Sequence, residues 1–261
     1  MRSFCRFLLI FLLGGCVTVP ITGRRQVNLL PESELMSLSI SQYEGFLDEN
    51  KTITGTPDAE LVKKVGQKVA RAAEEYMVKN NQANRIKDYD WEFNLVDNDL
   101  VNAWCLPGGK VVVYTGILPV TQNEIGLAVV LGHEIAHAIA RHGNERMSQL
   151  LLAQLGGVAL GIALHEQPET TRELFLQSYG LSSQLGILGF SRTHEVEADK
   201  IGLVFMAMAG YDPRAAIDFW QRMANLKENQ LPEFLSTHPH DETRIAKLQA
   251  YMPNAMKYYN Q

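Results

Sequence analysis

The sequence predicts an α+β fold, mainly helical, with one small sheet whose edge is exposed. Three observations carry this. Apolar residues recur at helical spacing over long stretches, as in Leu61, Val65, Val69, Ala72 and Ala73. Between residues 91 and 115 the pattern changes: Trp91-Glu92-Phe93-Asn94-Leu95-Val96 alternates, and Val111-Val112-Val113-Tyr114 is β-branched and aromatic. The stretch around Ile125–Ala140 is apolar on most sides, which marks a central helix. With 261 residues, 46% of them hydrophobic, the chain can bury one sizeable core.

Taken in order, residues 1–15 differ from the rest. Arg2 and Arg6 form a positive start, Phe7 to Leu13 is a compact apolar run, and Leu13-Gly14-Gly15-Cys16 follows. This pattern is a secretory signal peptide, too short for a stable membrane-spanning anchor. Small residues before a cysteine resemble the lipobox of bacterial lipoproteins. That resemblance implies cleavage that leaves Cys16 as a lipid-modified N-terminus; an ordinary signal peptide with an incidental cysteine is the alternative. Val17 stands where an Asp often retains a lipoprotein at the inner membrane, so its identity points to the periplasmic face of the outer membrane. Cleavage would remove Arg2 and Arg6 and take the formal charge from -5 to -7. Of Cys5, Cys16 and Cys105, Cys105 alone would remain free, so no internal disulfide is expected; without lipidation a Cys16–Cys105 pair is conceivable.

Val17 to Pro31, with two prolines and a Thr-Gly turn, reads as an extended tether over residues 16–31. The folded domain then occupies 32–261. Pro31-Glu32-Ser33-Glu34 starts a helix reaching about Leu47, with acids in its first turn. Thr56-Pro57-Asp58-Ala59-Glu60 starts a second, reaching about Val78. Pro107-Gly108-Gly109 is a turn between strands, and Leu106-Pro107 makes the strand near Val101–Cys105 an edge. A helix from about Gln122 to His142 follows, punctuated by Gly143-Asn144. Residues 147–164 are strongly apolar but interrupted by Gln149, Gln154 and glycines, so a buried or membrane-facing amphipathic helix is preferred to a span. There is no basic stripe with interleaved aromatics, which excludes a nucleic-acid partner.

The central helix carries His133-Glu134-Ile135-Ala136-His137. Positions four apart share a helix face, so His133 and His137 can present two imidazoles to one zinc ion, with Glu134 beside a water on that ion. A pair of hydrogen-bonded core histidines is the bland alternative. A catalytic zinc needs a third protein ligand. Ser191-Arg192-Thr193-His194-Glu195-Val196-Glu197-Ala198-Asp199 opens another helix, capped by Thr193, on which Glu195 and Asp199 share a face.

His133-Glu134-x-x-His137 followed by Ser191-Arg192-x-x-Glu195-x-x-Ala198-Asp199 resembles the gluzincin peptidases, which include the CAAX prenyl protease and the bacterial proteases HtpX, BepA and LoiP. The likeness covers about residues 60–250, and the opening of the mature chain is similar in layout to mitochondrial inner-membrane relatives. The resemblance implies a zincin-like fold and one Zn2+ per chain, held by His133, His137 and Glu195. Glu197 is the rival ligand. The resemblance makes Glu134 the general base and Asp199 the acid that steadies the site. It also singles out Ser236-Thr237-His238-Pro239 with Arg244-Ile245. His238 there would hold an oxyanion or occupy the open zinc position; His240 is its rival, and Arg244 would pair with site carboxylates. Val101-Asn102-Ala103-Trp104 resembles the family's edge strand, so Asn102 and Ala103 are candidate substrate contacts and Trp104 is core. His142, His165 and His194 read as structural or exposed. The expectation is a zinc endopeptidase acting on envelope proteins in outer-membrane protein quality control, on protein or peptide substrates. The alternative is a latent protease serving as an assembly factor or chaperone, and a third reading is a structural zinc or a non-peptidase hydrolase. Oligomeric state is left open.

Overall fold

The computed structural model describes residues 16–155, 168–179, 191–226, 234, 238 and 243–259. The expected signal segment 1–15, residues 156–164 of the apolar stretch, and the residues His165 and His240 lie outside them. The architecture is α+β and mainly helical, as the periodicity implied.

A short hairpin comes first: β1 (Cys16–Thr18) pairs antiparallel with β2 (Arg25–Val27). Helix α1 (Glu32–Glu49) follows, then the two-residue strand β3 (Thr52–Ile53) and helix α2 (Pro57–Lys79). Thr56 caps α2 by accepting from the Ala59 backbone N–H, and Pro57 opens it, which suits a position whose N–H would have no helical partner.

Strands β4 (Glu92–Val96), β5 (Ala103–Leu106) and β6 (Lys110–Tyr114) complete a four-stranded sheet in the order β3-β4-β6-β5. β4 and β6 are parallel; β3 and β5 flank them antiparallel. Gly108 and Gly109, both at positive φ, turn β5 into β6. β5 ends at Leu106, before Pro107, and is an edge of the sheet as the proline implied.

Helix α3 (Glu124–Ala140) is capped by Asn123, whose side chain accepts from Ile125 and Gly126. It stops at Arg141, held in the left-handed region at φ 61°, rather than at Gly143-Asn144. The chain restarts at once as α4 (His142–Leu155), so His142 and Gly143-Asn144 open the second helix instead of ending the first. Further on lie α5 (Pro168–Ser178), α6 (Arg192–Met208), α7 (Ala215–Ala224) and α8 (Arg244–Ala255). Ser191, not Thr193, caps α6, because the helix begins two residues earlier than a Thr193 cap implied.

The sheet is buried on both faces, which explains why Val111-Val112-Val113 is a continuous apolar run. Val111, Val113, Phe93 and Leu95 face the main core with α2, α3, α6 and α7. Val112, Trp104 and Leu106 face a smaller core with Leu35 and Tyr43 of α1 and Met147 and Leu151 of α4. Trp104 is core, stacked edge-on by Phe46.

At the centre, α3 and α6 cross in backbone contact. A Cβ on Gly202 would lie 2.9 Å from the Gly132 carbonyl carbon, so only glycine permits this approach. Among the described residues no helix is long and apolar enough to cross a membrane.

Residues 16–27, expected to be an extended tether, form the hairpin and pack on the body. Val19 and Gln26 are buried, and Gln26 Nε2 donates to the Ala140 carbonyl at 2.7 Å. The reason is the pairing of Arg24 with two buried carboxylates, described below.

Candidate metal centre

The close crossing of α3 and α6 brings their polar residues together inside the core. From α3, His133 Nε2 and His137 Nε2 lie 3.0 Å apart. From the first turn of α6, Glu195 places Oε2 3.3 Å from His133 Nε2 and Oε1 3.4 Å from His137 Nε2. His238 brings Nδ1 to 3.2 Å from His133 Nε2 and 3.1 Å from Glu195 Oε1. The four side chains are buried, and each offers a donor atom within 4.8 Å of all the others. Among the described residues no other group of His, Cys, Asp or Glu does so.

These spacings can be tested against zinc. Zinc–ligand bonds of about 2.0–2.1 Å give a tetrahedron with edges of roughly 3.3 Å. The quoted separations match that. Protein groups alone leave the cluster unsatisfied: Glu195 Oε2 is buried and accepts no hydrogen bond. A cation at the centroid would satisfy it together with the converging imidazole nitrogens. The residues therefore fit a zinc ion.

Each α3 imidazole is held from behind. His133 Nδ1 lies 3.0 Å from Asp199 Oδ1. Asp199 in turn accepts from Arg244 twice, at 2.7 Å each. The Arg244 guanidinium is fully buried, 3.2 Å above the Trp220 ring, and its Nη1 lies 3.4 Å from Glu195 Oε2. His137 Nδ1 lies 2.9 Å from His142 Nδ1, and His142 Nε2 lies 3.2 Å from Glu197 Oε2.

Burial sets the electrostatics. It works against the charged form of both imidazoles. At His133 the neighbouring carboxylates of Asp199 and Glu195 outweigh it and hold the ring up to about 9, whereas His137 falls well below its ordinary value. Burial also favours the neutral form of Glu195, but the neighbouring His238 and His133 prevail and keep it well below the usual carboxylate range. Glu134 goes the other way: burial pushes its carboxyl up. Its Oε1 accepts no hydrogen bond and lies 3.5 Å from His238 Nε2.

The sequence model of peptidase family M48 matches residues 63–252. The chain belongs to peptidase family M48. The mitochondrial metalloendopeptidase OMA1 of Schizosaccharomyces pombe is 39% identical over 173 residues, covering 65% of this chain and 49% of that protein. The human mitochondrial metalloendopeptidase OMA1 is 32% identical over 264 residues, 98% of this chain and 50% of its own length. The β-barrel assembly-enhancing protease of Escherichia coli is 31% identical over 175 residues, 64% of this chain and 35% of its own. The chain thus spans about half the length of the OMA1 relatives it matches. M48 peptidases are the gluzincins that the paired motifs resembled, and zinc is the metal that fits the cluster.

The remaining sequence candidates fall as follows. Glu197, the rival ligand, points away from the cluster toward His142 and Arg24. Asn102 and Ala103 lie at the start of β5, both buried; the Val101 carbonyl just before them accepts from the Phe234 backbone N–H at 3.1 Å. Cys16 opens β1 and pairs with Val27. His142 and His194 are buried rather than exposed, and His142 touches the cluster. Sequence reasoning left His142 and Arg24 without a role. The available signal was that a histidine ligand needs a partner at its other ring nitrogen, and a nearby unassigned histidine could provide one.

Proposed function

We propose that the chain is a zinc-dependent endopeptidase that hydrolyses peptide bonds, with His133, His137 and Glu195 as ligands and Glu134 as general base. The observation that carries this is the convergence of those three side chains, with the Glu134 carboxylate, whose Oε1 accepts no hydrogen bond, on the same helix beside them. Zinc held there supplies Lewis acidity and a coordination position for water.

The rest falls to the chain's own groups. Glu134, raised by burial, takes the proton of the attacking water and passes it to the leaving nitrogen. Asp199, itself fixed by Arg244, holds His133 in the tautomer that leaves Nε2 a free lone pair. His238 Nε2 faces Glu134 and is placed to donate to a developing oxyanion. An extended substrate would pair with the edge of the sheet near Asn102 and Ala103.

A second reading has a specific observation behind it. His238 Nδ1 lies beside His133 Nε2 and Glu195 Oε1, among the atoms that would hold the zinc. The Phe234 backbone N–H donates to the Val101 carbonyl beside the β5 edge. Both favour a latent protease that is released when His238 and Phe234 withdraw.

We place the substrates among bacterial envelope proteins, in outer-membrane protein quality control. Support comes from the charged-then-apolar pattern of residues 1–15, from the lipobox-like Leu13-Gly14-Gly15-Cys16 and from likeness to the β-barrel assembly-enhancing protease. Residues 32–261 would be the peptidase domain on the periplasmic face of the outer membrane.

The test measures zinc content and casein cleavage together on the purified full chain. One zinc per chain with cleavage lost in Glu134→Gln, zinc retained, supports the assignment. A rise on His238→Ala supports latency, and a fall supports the oxyanion role. Absence of stoichiometric zinc overturns the reading.

A further inference from the structure

His133 and His137 are each backed by a line of groups that ends in a buried or half-buried arginine. For His133 the line is Asp199 and then Arg244, from the C-terminal helix. For His137 it is His142, Glu197 and then Arg24, from the N-terminal hairpin. The second line is as complete as the first. Arg24 Nε lies 2.6 Å from Glu197 Oε2, and Thr22 Oγ1 donates to Glu197 Oε1. Arg24 Nη1 and Nη2 grip Glu145 at 2.8 and 2.6 Å, and Glu145 Oε2 accepts from His194 Nε2 at 2.9 Å. The His142 and His194 rings stack at 4.5 Å. His142 is completely buried, and Glu145, His194 and Glu197 are nearly so.

The chemistry of this line has a direction. Glu197, as a carboxylate, can only accept, so the proton of His142 sits on Nε2. The His142 Nδ1 lone pair must then accept from His137 Nδ1–H. That leaves His137 Nε2 without a proton and aimed at the cluster. Were the proton of His142 on Nδ1 instead, two N–H groups could not face each other at 2.9 Å. His137 would have to carry its proton on Nε2, where it cannot bind a metal. Arg24 is what keeps the Glu197 charge tolerable in a buried place.

We propose that Arg24, Glu197 and His142 are positioning residues for the metal site. They fix the tautomer and orientation of His137, which makes the N-terminal hairpin a working part of the peptidase centre rather than a tether beside it. The proposal rests on the zinc reading above. It extends that reading to residues outside the segment matched by the family model, since Arg24 lies before residue 63.

The experiment measures the zinc dissociation constant of the purified full chain by competition with graded chelators. The visible spectrum of the cobalt-substituted protein is recorded alongside. Loss of a hydrogen-bonded partner behind a metal ligand weakens binding by about 10–100-fold. His142→Ala and Arg24→Ala should fall in that range and shift the cobalt bands, and Arg24→Lys should restore part of the affinity. Val19→Ala trims a buried apolar side chain of the hairpin without touching the line. It should lower the melting temperature and leave zinc affinity and the cobalt spectrum as in the wild type. Glu197→Gln, close in shape to the native residue, takes the place of His142→Ala if that variant does not fold. Wild-type zinc affinity in folded His142→Ala or Glu197→Gln overturns the proposal. So does an equal loss in Val19→Ala and Arg24→Ala, which would mean that hairpin docking alone matters. Absence of zinc from the wild type would instead sink the underlying zinc reading, so the two failures are distinguishable.

Discussion

Gly202→Ala tests whether the crossing of α3 and α6 sets the geometry of the metal centre. The added methyl would lie 2.9 Å from the Gly132 carbonyl carbon and 3.0 Å from both the Gly132 oxygen and the His133 nitrogen. Ordinary contact begins near 3.4 Å, so the helices must part by about half an ångström. All three atoms are backbone, so no side chain can swing aside. In an unconstrained helix the same change would gain about 1 kcal/mol of helix propensity. Overpacking costs about 1–3 kcal/mol, so the net effect is a destabilisation of roughly 0–2 kcal/mol. The metal is the more sensitive reporter. Its ligands lie on both helices, and zinc–ligand distances tolerate only about 0.2 Å. Zinc affinity, read by chelator competition, should fall at least tenfold while the helical circular dichroism is retained. Gly66→Ala, which clashes with the Phe93 ring away from the centre, is the control: lower melting temperature, unchanged affinity. Wild-type zinc affinity in a folded Gly202→Ala protein would refute the reasoning.

Three further outcomes are expected. Arg244→Ala leaves Asp199 and Glu195 buried without their cation and should cost about 3–5 kcal/mol in chemical denaturation; a loss below 1 kcal/mol would show that the carboxylates are compensated elsewhere. Burial alone would raise the Glu145 carboxyl, but the hydrogen bonds from Arg24 and His194 prevail and hold it down at about 2. A depressed carboxylate contributes stability above its ordinary value and loses it as pH falls through the folded one. About 3 kcal/mol should therefore disappear between roughly pH 5 and pH 2, and that acid limb should be smaller in Glu145→Gln. Cys105 is buried with its thiol pushed well above the ordinary range, so thiol reagents should modify it at the rate of unfolding; rapid modification of the native protein would contradict its place in the core.

Much of this molecule could be read from its residues. His133 and His137 fall on one face because a helix has 3.6 residues per turn, and the apolar run around them placed that helix at the centre. Pro107 after Leu106 marked β5 as an edge. What escaped was the docking of the N-terminal hairpin and the break at Arg141. Residues 16–27 look like a polar linker because their partners, Glu145 and Glu197, come 121 and 173 residues later. The break at Arg141 needs a non-glycine residue in the left-handed region, which local propensity opposes; ion pairing of Arg141 with Glu32 accompanies it. His142 looked unremarkable because its role exists only once that break has turned it back toward His137. The strand β3, two residues long, carries no periodicity to detect.

The reach of Arg24 has a consequence for how the enzyme is made. The hairpin precedes its partner Glu197 by 173 residues, and His238 comes 105 residues after His133. Contacts so far apart in the chain close late, because the loop entropy must be overcome before they form. No chain short of residue 195 can assemble the proposed ligand set. The centre therefore closes late in folding, after the hairpin and the first turn of α6 have met.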